Sequence, residues 1–220
     1  MCRDQRAYNA AYYARHRDRE IERDSRRQRA ARDWLRELRR VPCMDCGESF
    51  EPHVMDFDHR DRSQKQFNVA GRNLLRRRGT VLAEVAKCDI VCANCHRMRT
   101  FADFSRGLLG PPVRERLPAT PARERSRKRF RDLWQLQADL LRVFRATPCL
   151  DCAQTFPWHV MEFDHRLPEQ KAALVTRMAG RVSLRRLLEE VAKCDIVCAN
   201  CHRLGTFARR ATANRSAGVL

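Results

Sequence analysis

Cys43-Met44-Asp45-Cys46 and Cys92-Ala93-Asn94-Cys95 form two C-x-x-C knuckles, with Asp58-His59 between them and His96 directly after the last thiol. Four soft thiolates in two knuckles suit a tetrahedral zinc with no open position, which makes the site structural. A zinc filled in this way leaves the carboxylate and the imidazoles for other work. A hard oxygen ligand beside an imidazole base, with a second imidazole next to a fixed zinc ligand, is what one-metal phosphodiester hydrolysis requires. A histidine of ordinary pKa, about 6.5, can take a proton from water near neutral pH. A lone Asp-His pair would more simply cap a turn. Here the whole set occurs twice.

The fourteen residues Glu84–Arg97 return letter for letter at Glu190–Arg203, an offset of 106. That offset carries the first set onto Cys149, Cys152, Cys198, Cys201, Asp164, His165 and His202, and Lys65 onto Lys171, with no gap from Cys43 to Phe101. The chain is therefore one module present twice, and function is to be read from the module. Between Phe67 and Val81 the copies agree almost only at Val69 and Val175. The thiol pairs, the V-M-[D/E]-F-D-H-R segment, a Gln-Lys pair and the shared block survive that drift.

The elements that must position these residues follow from the patterning. Residues 1–40 lack Gly and Pro and read as a basic helical arm supported by i,i+4 charge pairs. Trp34, Leu35 and Leu38 are expected to dock its end on the first module. In the first module, 41–104, Gly47 supplies the tight turn after the knuckle. His53–His59 alternates as a short strand, Met55 and Phe57 on one face, Asp56 and Asp58 on the other. Gln66–Val69 is expected as its partner strand, and Thr80–Lys87 as a helix with Val81, Leu82 and Val85 inward. A further helix is expected to open near Ala93. Residues 105–145 read as a Pro- and Arg-rich linker, carrying Arg114, Arg116, Arg123 and Arg125, followed by a basic helix over Arg123–Phe144. Gln137 interrupts that helix's apolar stripe. Residues 146–208 repeat the module and 209–220 form a tail.

Composition narrows the partner. The 220 residues carry 45 Lys and Arg against 27 Asp and Glu, a net charge of +18, and nearly all the cations are arginine. Arginine's planar fork suits phosphate and guanine edges, so nucleic acid is the expected partner. No apolar leader follows M-C-R-D-Q-R and no run approaches a membrane span, so a cytoplasmic protein with reduced thiols is expected. Cys88 and Cys194 read as packed thiols rather than ligands.

C-x-x-C, then D-F-D-H, then C-A-N-C-H-R resembles the HNH endonuclease family in its zinc-stabilised four-cysteine form, most closely the compact variety of phages and bacteria. The resemblance covers 43–101 and again 149–207. It implies an α+β protein with two ββα-metal modules, each preceded by a basic helix, and a metal-dependent DNA endonuclease activity. His59 and His165 match the general base. Asp58, His96, Asp164 and His202 match the positions that bind a catalytic Mg²⁺ or Mn²⁺, one per module. Cys43, Cys46, Cys92 and Cys95, and Cys149, Cys152, Cys198 and Cys201, match the ligands of one structural Zn²⁺ each. The family's middle Asn has no counterpart: Asn94 lies between thiols, and Asn68 aligns with Leu174. Arg60, Lys65, Arg97, Arg166, Lys171 and Arg203 are expected to bind phosphate. His53 and His159 read as loop packing, with a ligand role as the alternative. DNA is the implied partner, with no membrane and no obligate protein partner. The competing class is a zinc-stabilised nucleic-acid-binding protein without catalysis.

Overall fold

The computed structural model describes residues 2–105 and 120–216, which form an α+β structure with two small antiparallel sheets. The Pro-rich stretch with Arg114 and Arg116, and the last residues of the chain, lie outside the described residues. The chain divides into two compact units, Met1–Cys92 and Ala93–Leu220, a division that falls inside the first sequence repeat.

The first unit begins with helix α1, Cys2–Leu38. Its second half buries Ala31 and Leu35 against Leu74 and Val81, with Trp34, Phe57, Val69 and Val85 around them. Arg27 donates to the Leu75 carbonyl at 3.1 Å, and Arg78 lies over the Trp34 ring at 5.0 Å. Leu38, expected in this contact, is exposed; Ala31, one turn before Leu35, takes the inward position. Tyr8, Tyr12, Tyr13 and Ile21 are exposed as well.

Strand β1, Met55–His59, pairs antiparallel with β2, Cys88–Cys92, in the register Met55↔Cys92 to His59↔Cys88. The expected partner, Gln66–Val69, is not a strand. The backbone N–H groups of Gln66 and Phe67 instead donate to the buried Glu84 carboxylate at 2.8 and 3.3 Å, which uses the donors a ladder would need. Helix α2, Arg78–Val85, leads into β2; it buries Val81 and Glu84 and leaves Leu82 at the surface.

The second unit opens with α3, Ala93–Ser105, and α4, Pro121–Phe144. Thr120 caps α4, its hydroxyl accepting from the Arg123 N–H at 3.4 Å, with Pro121 in the first turn where its missing N–H costs nothing. Strands β3, Met161–His165, and β4, Cys194–Cys198, repeat the pairing of the first sheet. Helices α5, Val175–Met178, and α6, Leu184–Val191, lie between them in sequence, and α7, Ala199–Ser216, follows. The expected tail is thus largely helix, since no Gly or Pro interrupts 206–216. Leu141 of α4 joins Val175, Met178, Leu187 and Val191 in one core; Val160, Met161 and Val197 form another around the second thiol cluster.

Gln137 does not interrupt the α4 seam but lies at its centre, fully buried. Its amide nitrogen donates to the Val182 carbonyl at 2.9 Å, and its oxygen accepts from the Gly180 N–H at 2.7 Å. Gly180 needs this close approach: it has φ +75, and a Cβ there would come within 2.8 Å of the Trp134 Cβ. Among the described residues no helix is long and apolar enough to cross a membrane.

Gln137→Leu should lower stability by about 1–3 kcal/mol, because the Gly180 N–H and the Val182 carbonyl lose their partners. Thermal unfolding checks this against Leu136→Gln, an exposed neighbour expected within about 0.5 kcal/mol of wild type. Equal midpoints for the two variants would contradict the seam.

Candidate metal centres and active site

In each repeat four cysteine sulfurs converge. The Sγ atoms of Cys43, Cys46, Cys92 and Cys95 lie within 4.8 Å of one another, as do those of Cys149, Cys152, Cys198 and Cys201. A tetrahedral zinc with Zn–S bonds of about 2.3 Å sets its sulfurs roughly 3.8 Å apart, so both clusters fit the ion. Backbone donors already face the sulfurs: Cys92 N–H points to Cys43 Sγ, and Cys198 N–H to Cys149 Sγ, each at 3.2 Å. Burial alone would raise the Cys43 thiol, but N–H groups of Cys46, Cys92 and Asp45 outweigh it and bring the pKa down to about 7. The knuckle turn takes a left-handed residue, Gly47 at φ 73 in one copy and Ala153 at φ 56 in the other.

Cys88 and Cys194 stand apart from both clusters. They donate to the carbonyls of Glu84 and Glu190 at 3.4 and 3.5 Å, and burial, with the nearby carboxylates, pushes both thiols up to about 11. They are packed thiols, as expected.

At the end of each first strand a buried histidine meets a buried glutamate. His59 Nε2 donates to Glu84 Oε1 at 2.8 Å, and His165 Nε2 donates to Glu190 Oε1 at 2.8 Å. Lys87 and Lys193 bind the other carboxylate oxygens at 2.8 and 2.7 Å. Ala172 and Ala173 N–H groups complete the Glu190 shell at 2.8 and 3.4 Å, as Gln66 and Phe67 do for Glu84. Burial would raise these carboxyls; the lysine, histidine and amide donors override it and hold both at about 2. An ionised carboxylate can only accept, so the proton sits on Nε2 and Nδ1 keeps its lone pair. The arrangement fixes a histidine tautomer and leaves Nδ1 as the ring's acceptor.

The sequence reading missed Glu84 and Glu190, although both open the identical fourteen-residue block. The signal available was a carboxylate kept in both copies on an apolar helix face.

Asp164 and His165, neighbours on β3, line a cavity of about 630 Å³ with Glu162, His202, Arg97, Arg145, Lys171, Arg209 and Arg210. His202 Nε2 lies 3.4 Å from Asp164 Oδ1, and its Nδ1 donates to Glu162 Oε2. A carboxylate oxygen and an imidazole nitrogen converging in this way, with the second ring nitrogen held by another carboxylate, form a donor pair that suits a divalent ion. Two protein donors converge there, so water or a substrate oxygen would complete the shell. Arg209 meanwhile donates to both Asp164 oxygens at 2.8 and 2.9 Å and offsets their charge. Gly205 leaves room for that contact; the first repeat has Arg99 and Asp103 at the two equivalent positions.

In the first repeat Asp58 is buried on β1 with Arg62 Nη2 at 3.8 Å from its carboxylate, and His96 is half-buried in the first turn of α3. Of the expected phosphate ligands, Lys171 and Arg97 line the cavity and Lys65 is exposed; Arg166 and Arg203 are not among the lining residues. Arg60 and Arg166 each bridge to two backbone carbonyls and an aspartate, Ala86, Cys88 and Asp89 for Arg60, and Ala192, Cys194 and Asp195 for Arg166. These contacts tie the sheet to the helix before its second strand. His159 stacks on Phe101 at 4.0 Å and meets Trp158 edge-on, which is packing as expected.

Comparison with protein-family models, curated proteins and solved structures finds no match to this chain.

Elemental analysis of protein purified without chelator should find two zinc ions per chain, one for each four-thiol cluster. Cys198→Ser should reduce this to one and lower the unfolding temperature, since zinc affinity contributes directly to folding. Zinc-free protein with an unchanged melting curve would contradict the assignment.

Proposed function

We propose that each repeat is a ββα-metal module of HNH type and that the chain is a metal-dependent DNA endonuclease. The observation that carries this reading is the buried His–Glu–Lys arrangement, made with the same atoms in both repeats and placed next to Asp58 or Asp164 on the strand. A histidine kept only for packing would not need an ionised carboxylate held by a lysine and two amides.

The residues divide the work as follows. His59 and His165 accept a proton from water at Nδ1, with Glu84 and Glu190 orienting the rings. Asp164 with His202 would hold a Mg²⁺ or Mn²⁺ ion, which supplies charge neutralisation at the phosphate when bound, and Asp58 and His96 are the equivalent residues of the first repeat. Arg97, Lys171, Arg209 and Arg210 make the cavity wall cationic and suit a phosphodiester backbone. Arg209, which offsets the Asp164 charge, is the cation best placed to turn to phosphate. The long basic helix α1 adds sequence-independent attraction to DNA, expected to weaken with salt. The two four-thiol clusters are structural zinc sites and take no part in the reaction.

Two repeats with complete sets give one chain two hydrolytic sites. His59→Ala and His165→Ala should therefore each convert a linearising enzyme into a nicking one. The ratio of nicked to linear plasmid, followed over time with Mg²⁺ or Mn²⁺, reads this directly. If one single variant abolishes all cutting while the other matches wild type, only one repeat is catalytic.

A further inference from the structure

The helix that closes the first sequence repeat, α3, is built into the second unit. Asn94 and Asn200, in the first turns of α3 and α7, are both buried, and each accepts the other's backbone N–H through its side-chain oxygen at 3.0 Å. First-turn N–H groups have no acceptor within their own helix, so this exchange satisfies one donor at each helix start. Two helix turns further on, Phe101 stacks flat on His159 at 4.0 Å and meets Trp158 edge-on at 5.4 Å. Between these two anchors stands Arg97. It donates to the His159 carbonyl at 3.3 Å and forms a salt bridge with Glu162.

Glu162 accepts a hydrogen bond from Nδ1 of His202, whose Nε2 faces Asp164. We propose that Arg97, supplied by the first repeat, is a positioning residue of the second repeat's metal site, acting through Glu162 on His202. The inference rests on the nuclease reading above and adds a dependence between the copies. Glu162 shares one oxygen with Arg97 and the other with His202, so the guanidinium sets where the carboxylate stands. The carboxylate in turn sets the ring's tautomer and leaves Nε2 as the bare donor for the ion. Partners behind a metal-binding histidine commonly change metal affinity about 10–100-fold when removed. The sequence led to the expectation that Arg97 binds phosphate; the cavity it lines is that of the second repeat.

The test uses the full zinc-loaded chain and Mn²⁺ alone as the probe. Asp58→Ala leaves the second site as the one intact ion site, and Asp164→Ala leaves the first. Arg97→Ala should weaken Mn²⁺ binding, followed by the loss of the free-ion paramagnetic resonance signal, about tenfold in the Asp58→Ala background. In the Asp164→Ala background it should change nothing. Arg97→Lys should restore most of the loss, which a purely structural arginine would not require. Weakening confined to the Asp164→Ala background, or seen in neither, overturns the assignment. If the two parent backgrounds bind no Mn²⁺ at all, the metal reading itself fails. That outcome is distinct from an unresponsive Arg97 in parents that do bind, and it removes this inference as well.

Discussion

Each repeat depends on four thiolates gathered at one end of a two-stranded sheet. Strands of five residues paired only with each other are marginal in water, and the apolar clusters behind them are small. The cysteines compensate by tying three pieces of chain together. One pair comes from the knuckle, the third sulfur closes the second strand, and the fourth sits in the first turn of the following helix. Strand end and helix start are therefore held at one point. The histidine after the last cysteine, His96 or His202, takes its position from that constraint and not from a large core. A zinc ion in the cluster would turn this geometry into folding energy.

A second constraint, the buried carboxylate of Glu84 or Glu190, explains how the copies could drift without losing the site. The loop after the first strand wraps this carboxylate with two backbone N–H groups, from Gln66 and Phe67 in one copy and from Ala172 and Ala173 in the other. Backbone donors do not depend on side-chain identity. Side chains along this stretch were free to change, provided the loop kept its path. Lys87 and Lys193 donate through their side chains, and they are identical in the two repeats. The carboxylate that meets the histidine is thus held by a lysine present in both repeats and by backbone donors that carried no sequence signal.

That division also sets what could be read without a structure. The thiol clusters, the first strand, the basic helices and the helix after the last cysteine pair were legible because spacing and side-chain type determine them. The strand pairing was not: Gln66–Val69 has strand-like composition, yet its amides serve Glu84, while the true partner lay inside the repeated block. Gln137 looked like a flaw in an apolar stripe because its role depends on Gly180 and Val182, more than forty residues away in sequence. Arg97 was legible as a cation, but its attachment to Glu162 required knowing where α3 packs. Local pattern revealed ligand sets; contacts distant in sequence did not announce themselves.

The proposed role of the buried histidine, held by its glutamate, is to activate water for DNA hydrolysis in each repeat. It is tested most directly by comparing wild type with the combined His59→Ala and His165→Ala protein on supercoiled plasmid, with zinc retained and Mg²⁺ or Mn²⁺ added. Filter binding on the same DNA runs in parallel. Removing both bases should lower cleavage by at least about a hundredfold, the usual contribution of a general base, while binding and zinc content stay unchanged. Cleavage at the wild-type rate by the doubly substituted protein, or tight binding with no metal-dependent cleavage by the wild type, would contradict the account.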